Sequence, residues 1–211
     1  MNRYSPRRRQ ILAGMITGGL LPWQDLLAAG ELLPVTPSDA EGPFFPVTIP
    51  EDHDADLVQV AGQEERSPGR IAHVQGNVTD PTGTPIDGAR VEIWQCDASG
   101  TYHHPGDRGT PDRRFQGYGQ SLTGSDGGYR FRTIRPVPYG GRTPHIHFRV
   151  TAPGFDRLTT QLYVAEEAER NSRDGLYKRH SQAHRMLLTR SFQPSGSPQD
   201  PVSATFNIVL G

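Results

Sequence analysis

Cysteine is almost absent from this chain of 211 residues, where Cys96 stands alone. No internal disulfide can form, and a structural zinc site built on cysteine pairs is excluded. One thiol by itself neither supports nor excludes an oxidising compartment. An excess of either charge is also missing. The chain has 22 Lys and Arg against 23 Asp and Glu, a formal net charge of -1. That balance leaves no electrostatic footprint for nucleic acid or an anionic membrane, and neither is expected as a partner. The mean hydropathy is -0.61. No H-E-x-x-H occurs, which removes the helical metalloprotease site. Internal repeats and low-complexity tracts are missing too. Gly 24 and Pro 19 favour many turns between short strands over long helices.

The first thirty residues are of a different kind. Arg7, Arg8 and Arg9 precede a mildly apolar run that continues to Leu27 and leaves through Ala28-Ala29-Gly30. A basic start, an apolar stretch and a small-residue exit predict an export signal over 1–30. The paired arginines favour the twin-arginine route, which carries folded proteins and implies a periplasmic or extracellular location. The run is interrupted by Gly, Thr, Pro22 and Gln24, so it makes a poor membrane span. Residues 31–70, rich in Pro, Asp and Glu without helical period, read as an extended arm.

From residue 71 onward, apolar and polar residues alternate in short runs. The pattern predicts strands over 71–78, 89–94, 129–134, 145–150, 158–164 and 204–210, with turns such as Asp80-Pro81-Thr82-Gly83 between them. The stretch 166–188 is the one plausible helical segment, interrupted near Asp174-Gly175. The expected fold is therefore all-β: a β-sandwich over 71–211 with long loops and one short helical segment.

The segment Arg142-Thr143-Pro144-His145-Ile146-His147-Phe148 carries the sharpest chemical signal. Side chains alternate along a strand, so His145 and His147 share a face about 6.5 Å apart at Cα, and Ile146 and Phe148 take the other. Two imidazoles at that spacing can converge on one metal ion. Alone, the pattern fits two surface histidines equally well. The tyrosines nearby are Tyr139, in a Pro-Tyr-Gly-Gly loop, and Tyr102, after a Ser99-Gly100 turn. Phenolate is a hard anionic donor suited to iron(III), and a highly charged ion lowers the phenol pKa enough for it to bind as an anion.

Four stretches then match one family in order. Val91-Glu92-Ile93-Trp94-Gln95 with Gly100-Thr101-Tyr102, then Tyr139-Gly140-Gly141-Arg142-Thr143-Pro144-His145-Ile146-His147-Phe148, then Thr160-Gln161-Leu162-Tyr163, resemble the intradiol ring-cleavage dioxygenases, closest to the protocatechuate 3,4-dioxygenase type. Thr36-Pro37-Ser38 with Glu41-Gly42-Pro43-Phe44 resembles the amino-terminal arm of that group. The resemblance implies a non-haem Fe(III) enzyme with Tyr102, Tyr139, His145 and His147 as ligands. It implies that a catechol displaces Tyr139 and a hydroxide, which take up its two phenolic protons. Dioxygen would then enter between the two hydroxylated carbons to give a cis,cis-muconate. Arg142 matches the family arginine that stabilises charge developing on the ring, and Gln161 a residue near the same site. Partners would be a small catechol and dioxygen, with a homo-oligomer implied by relatives that assemble from several chains. Phe44 stands where carboxylate-binding relatives offer a polar aromatic, and the long helical segment of catechol and hydroxyquinol dioxygenases is not seen. A simple or substituted catechol is expected.

Two rival readings follow from the same residues. One is a β-sandwich binding module without metal. The other is a zinc-dependent hydrolase using His145 and His147, which needs a third carboxylate or imidazole ligand. Among the remaining residues, Tyr129 and Tyr163 read as core or as groups behind the site. Tyr118 reads as a loop residue, and His103 and His104 as exposed or supporting groups. His180 and His184, at i and i+4, read as a solvated helix face. Trp94 reads as a core anchor and Cys96 as a small structural residue.

Overall fold

Alternating strands assemble two sheets in the computed structural model, which describes residues 32–211. The expected export signal over 1–30 lies outside the described residues. Ten strands follow in chain order: β1 (Ile71–Thr79), β2 (Arg90–Trp94), β3 (Tyr118–Leu122), β4 (Gly128–Ile134), β5 (His145–Thr151), β6 (Leu158–Val164), β7 (Thr189–Arg190), β8 (Gln193–Pro194), β9 (Val202–Thr205) and β10 (Ile208–Val209). β1 is the spine of the first sheet. It pairs antiparallel with β4 from Ile71↔Ile134 to Asn77↔Gly128, and parallel with β9 and β10 on its other edge. The second sheet runs β3–β2–β5–β6–β7, with β5 at its centre.

The inward faces meet in one core. Val74, Val78 and Phe131 from the first sheet pack with Ile93, Ile146, Phe148 and Leu162 from the second, all fully buried. Each such side chain contributes about 1.5–3 kcal/mol by leaving water. The period of two then forces His145 and His147 onto the outward face of β5. That face is not open to solvent. The arm crosses it, anchored where Asp39 N–H donates to Thr159 O (2.9 Å) and Thr160 Oγ1 donates to Pro37 O (2.7 Å). Under the arm a second, smaller cluster forms from Trp94, Cys96, Tyr102 and Tyr118, with Phe44, Phe45, Val137 and Tyr139 packed against it. Arg149 closes one side, its guanidinium 3.5 Å above the Phe45 ring and bonded to Glu41.

Several elements differ from the sequence expectation, the unexpected short strands β7 and β8 among them. Tyr118 opens strand β3 and does not lie in a loop. Its flanking glycines hide the strand signal, but pairing with β2 from Arg90↔Leu122 to Trp94↔Tyr118 overrides local propensity. The last strand is broken into β9 and β10 at Phe206 and Asn207, because the Tyr129 hydroxyl donates to Phe206 O. The helical stretch resolves into a 3₁₀ turn at Ala165–Glu167, α1 (Ala168–Arg173), a second 3₁₀ turn at Tyr177–Arg179 and α2 (Gln182–Leu188). His180 and His184 therefore do not share one helix face. His180 is extended, and Ser181 caps α2 by accepting from His184 N–H. Among the described residues no helix is long and apolar enough to cross a membrane.

Phe148→Ala would leave a void between the sheets directly behind the histidine face. We expect a loss of about 3–5 kcal/mol in unfolding free energy, measured by urea denaturation of the metal-free protein.

Candidate active site

Strand β5 sets the first two donors. The His145 Nδ1 lies 2.7 Å from Thr143 O. A carbonyl only accepts, so Nδ1 carries the hydrogen and Nε2 presents its lone pair. The two Nε2 atoms of His145 and His147 are 3.1 Å apart. Burial, helped by the Arg142 charge, lowers the His145 pKa to about 4. Burial and then His145 push His147 well below its ordinary value. Both imidazoles are thus neutral at physiological pH, as metal ligands must be. Trp94 stacks on His147 at 4.9 Å with 7° between the planes, fixing the ring's tilt. The His147 Nδ1 is buried without a hydrogen-bond partner, although the Ala40 carbonyl acts on that ring from the arm.

Tyr102 comes from the loop after β2, which is shaped by a buried carboxylate. Asp97 Oδ1 accepts from Ser99 N–H, Ser99 Oγ and Thr101 N–H, and its Oδ2 accepts from Asp112 N–H at 2.8 Å. Gly100, at φ +82, has Pro138 O and Tyr139 Cβ at 3.1 and 3.5 Å from where a side chain would begin. Only glycine lets the two tyrosine loops approach so closely. The Tyr102 hydroxyl is buried without a hydrogen-bond partner. Burial, then the neighbouring Tyr139, hold its pKa well above the ordinary phenol value. An electroneutral pocket would not hold this phenol as an anion. A cation would.

The structure brings together all four side chains singled out as ligands. Their ring centroids close a circuit: His145 to His147 4.7 Å, His147 to Tyr102 6.2 Å, Tyr102 to Tyr139 4.9 Å and Tyr139 to His145 5.5 Å. Tyr139 is the more exposed phenol and begins a tight turn in which Arg142 N–H donates to Tyr139 O. Arg142 is fixed beside it. Its Nε donates to Asp174 Oδ2 at 2.7 Å and its Nη2 to Gln161 Oε1 at 2.8 Å. The Asp174 side chain is fully buried and also accepts from the Thr143, Leu176 and Tyr177 N–H groups. A cleft of about 220 Å³ opens beside Tyr139, Gly140, Gly141 and Arg142, with Arg170 and Arg173 on its far wall.

The residues fit a metal ion by several observations. Two nitrogens at about 2.1 Å from one first-row ion, at a right angle, would be about 3 Å apart, as these two are. The unpartnered Tyr102 hydroxyl is a group that coordination would satisfy. Among the described residues no set of three His, Cys, Asp or Glu side chains converges, and the rings of Tyr102 and Tyr139 pack against the histidine pair. The other residues fall elsewhere. Tyr129 is a core residue, and the Tyr118 hydroxyl is tied to Glu92. His103 bonds Asp112 O, and His104 packs on Phe44. Cys96 is buried, its thiol pushed up to about 12 chiefly by that burial, so it is inert. Asp39, Asp97 and Asp174 escaped the sequence reading. The one trace was Asp174-Gly175, legible only as a helix break.

Fold and site together define a β-sandwich protein with a buried two-histidine, two-tyrosine cluster. A family model described as Dioxygenase matches residues 40–211. The chain is 33% identical over 155 residues to hydroxyquinol 1,2-dioxygenase of Corynebacterium glutamicum, covering 64% of this chain and 48% of that protein. It is 38% identical over 124 residues to the protocatechuate 3,4-dioxygenase beta chain of Burkholderia cepacia, covering 54% and 52%. The chain thus spans about half the length of these relatives. Among solved structures, the dioxygenase domain of a carbohydrate-binding fusion protein from Streptomyces sp. SirexAA-E superposes with a TM-score of 0.66 at 33% identity, covering 84% of this chain and 98% of that one. An intradiol ring-cleavage dioxygenase from Tetranychus urticae gives 0.66 at 26%, covering 84% and 95%. The chain belongs to the intradiol ring-cleavage dioxygenase family.

Burial alone would raise the Asp97 carboxyl, but hydrogen bonds from Ser99, Asp112 and Thr101 outweigh it and hold the pKa below the usual aspartate range. A depressed native pKa stabilises the fold above the unfolded value of about 3.9, and the benefit is lost as pH falls through the native pKa. Asp97→Asn, which sets an amide donor against a backbone N–H, should cost about 1–3 kcal/mol at neutral pH. The gap to wild type should narrow below about pH 4, as followed by thermal melts across pH.

Proposed function

We propose that the protein cleaves a catechol-type ring between its two hydroxylated carbons with dioxygen, using ferric iron held by Tyr102, Tyr139, His145 and His147. The observation that carries this is the closed circuit of two phenols and two neutral imidazoles, with the Tyr102 hydroxyl buried and unpartnered. Two phenolates offset two of the three positive charges of the ion, and a hard trivalent centre suits oxygen donors. Iron bound by this set would supply a Lewis-acidic, redox-capable centre that activates a diol toward dioxygen.

The chain's own groups divide the remaining work. Tyr139 lies at the cleft, on a loop where a side chain begun at Gly140 or Gly141 would point into open space, with nothing within 4 Å of its Cβ. It is the phenol with room to move outward, and its oxygen is placed to receive one proton from an arriving diol. Tyr102 is locked between Phe44, at 4.8 Å, and the Asp97 loop, so it stays. Arg142 faces the same cleft with its charge fixed by Asp174 and Gln161. There it stabilises negative charge that develops on the ring, a preorganised electrostatic role. The phenol and indole walls of the smaller cluster exclude water from the reacting carbons. Both oxygen atoms end in the product, a muconate-type diacid, so the balance needs no external reductant. Names of relatives with catechol, hydroxyquinol and protocatechuate substrates support a diol on an aromatic ring.

Iron(III)-loaded protein should be red-brown from phenolate-to-iron absorption, and Tyr139→Phe should shift that band. With ¹⁸O₂ and a panel of catechols, mass analysis should find an acid carrying both labelled atoms. Arg142→Gln should lower kcat about a hundredfold with the colour kept. A colourless iron-loaded protein, or the absence of any opened acid across the panel, would overturn the reading.

A further inference from the structure

Behind Arg142 runs a chain of buried polar groups that passes Tyr163, whose ring lies 6.0 Å from that of His145, and ends on the arm and before α2. The Tyr163 hydroxyl lies 2.6 Å from Asp39 Oδ2 and 3.0 Å from Gln161 Oε1. It has one hydrogen and two oxygens that can only accept it. The carboxylate is nearer and charged, so it takes the hydrogen. Gln161 Oε1 is thereby left to the Arg142 Nη2 at 2.8 Å, while that same nitrogen sits 3.5 Å from the Tyr163 oxygen. One guanidinium thus bridges two oxygens that would otherwise repel. The Gln161 amide cannot turn over, because its Nε2 donates to Ala40 O at 2.6 Å. On the far side, His180 Nε2 lies 2.9 Å from Asp39 Oδ2, with side-chain exposures of 10% and 5% for the pair. The second oxygen of Asp39 accepts from Ala40 N–H.

We infer that Asp39 and His180 are positioning residues for the reaction. By holding the Tyr163 hydrogen away from Gln161, they keep Gln161 as an acceptor for Arg142 and so fix the guanidinium that faces substrate. This rests on the reading of Arg142 as the group that stabilises charge on the ring. Neither residue touches the cleft. The consequence is a specific coupling: Asp39 matters to Arg142 only while residue 163 carries a hydroxyl.

Asp39→Asn replaces the charged acceptor with a neutral amide, which either offers Tyr163 a weaker oxygen or sets a donor against the Tyr163 and His180 donors, so the Tyr163 hydrogen is freed to turn to Gln161 and compete with Arg142. In a double-mutant cycle, Asp39→Asn should lower kcat and kcat/KM together about tenfold when residue 163 is Tyr. It should lower them less than about threefold in the Tyr163→Phe background. His180→Ala should follow Asp39→Asn, and His180→Gln, which keeps an N–H donor, should recover most of the loss. The second readout needs neither metal nor turnover. In metal-free protein labelled with ¹⁵N-arginine, the Arg142 side-chain N–H resonances should shift in Asp39→Asn and return toward their wild-type position in the double variant. Equal losses in both backgrounds, or Arg142 resonances unmoved by Asp39→Asn, would overturn the inference and leave Asp39 as an anchor of the arm. If wild-type protein opens no catechol, the functional reading fails by itself, and the resonances still decide the positioning.

Discussion

Two imidazole nitrogens held 3.1 Å apart inside a buried strand are the constraint around which the rest of this protein is arranged. Nothing in a strand by itself favours that pair. Both rings are desolvated and neutral, and one has a nitrogen without a partner. A buried polar atom left unpaired costs about 1–3 kcal/mol, so the surroundings must hold the pair in place. Thr143 O fixes one tautomer, and the Trp94 ring lies flat against the other imidazole. The inward neighbours Ile146 and Phe148 prevent β5 from slipping, because a one-residue shift would put both histidines in the core between the sheets.

The same logic explains why three aspartates, and no ligand among them, govern the site's shape. Asp97 draws the Tyr102 loop closed. Asp174 holds Arg142 and the entry to β5. Asp39 ties the arm to β6 and to the segment before α2. Each is nearly or fully buried, and each has its oxygens occupied by N–H or O–H donors. A carboxylate in that condition is poorly placed to hold a metal ion, but it can set a backbone or a guanidinium to within about 0.5 Å. That accuracy is what a cluster of phenols and imidazoles needs from its supports. The arm, without regular secondary structure, is therefore as much part of the site as the strands. It supplies Phe44 against Tyr102, Ala40 beside His147 and Asp39 behind Arg142.

Legibility in the sequence followed the range of the physics involved. Alternation is local, so β1, β2, β4, β5 and β6 could be read from it, along with the shared face of His145 and His147. β3 could not, because Gly117 and Gly119 carry no strand preference and its pairing with β2 is made across a loop of more than twenty residues. The paired spacing of His180 and His184 suggested a helix face. The chain instead turns extended at His180, where the carboxylate of Asp39, distant in sequence, takes its Nε2.

By itself, the order of residues determined the strand pattern, the sandwich and the types of donor available, because side-chain alternation and ligand chemistry are properties of short segments. The tertiary structure alone decided that Tyr102 and Tyr139 close on the histidines, that the outward face of β5 is sealed by the arm, and that Asp39, Asp97 and Asp174 are its supports. Those outcomes depend on hydrogen bonds between residues as many as 141 positions apart. The energy of such bonds depends on burial, and burial is set only once both sheets and the arm have come together.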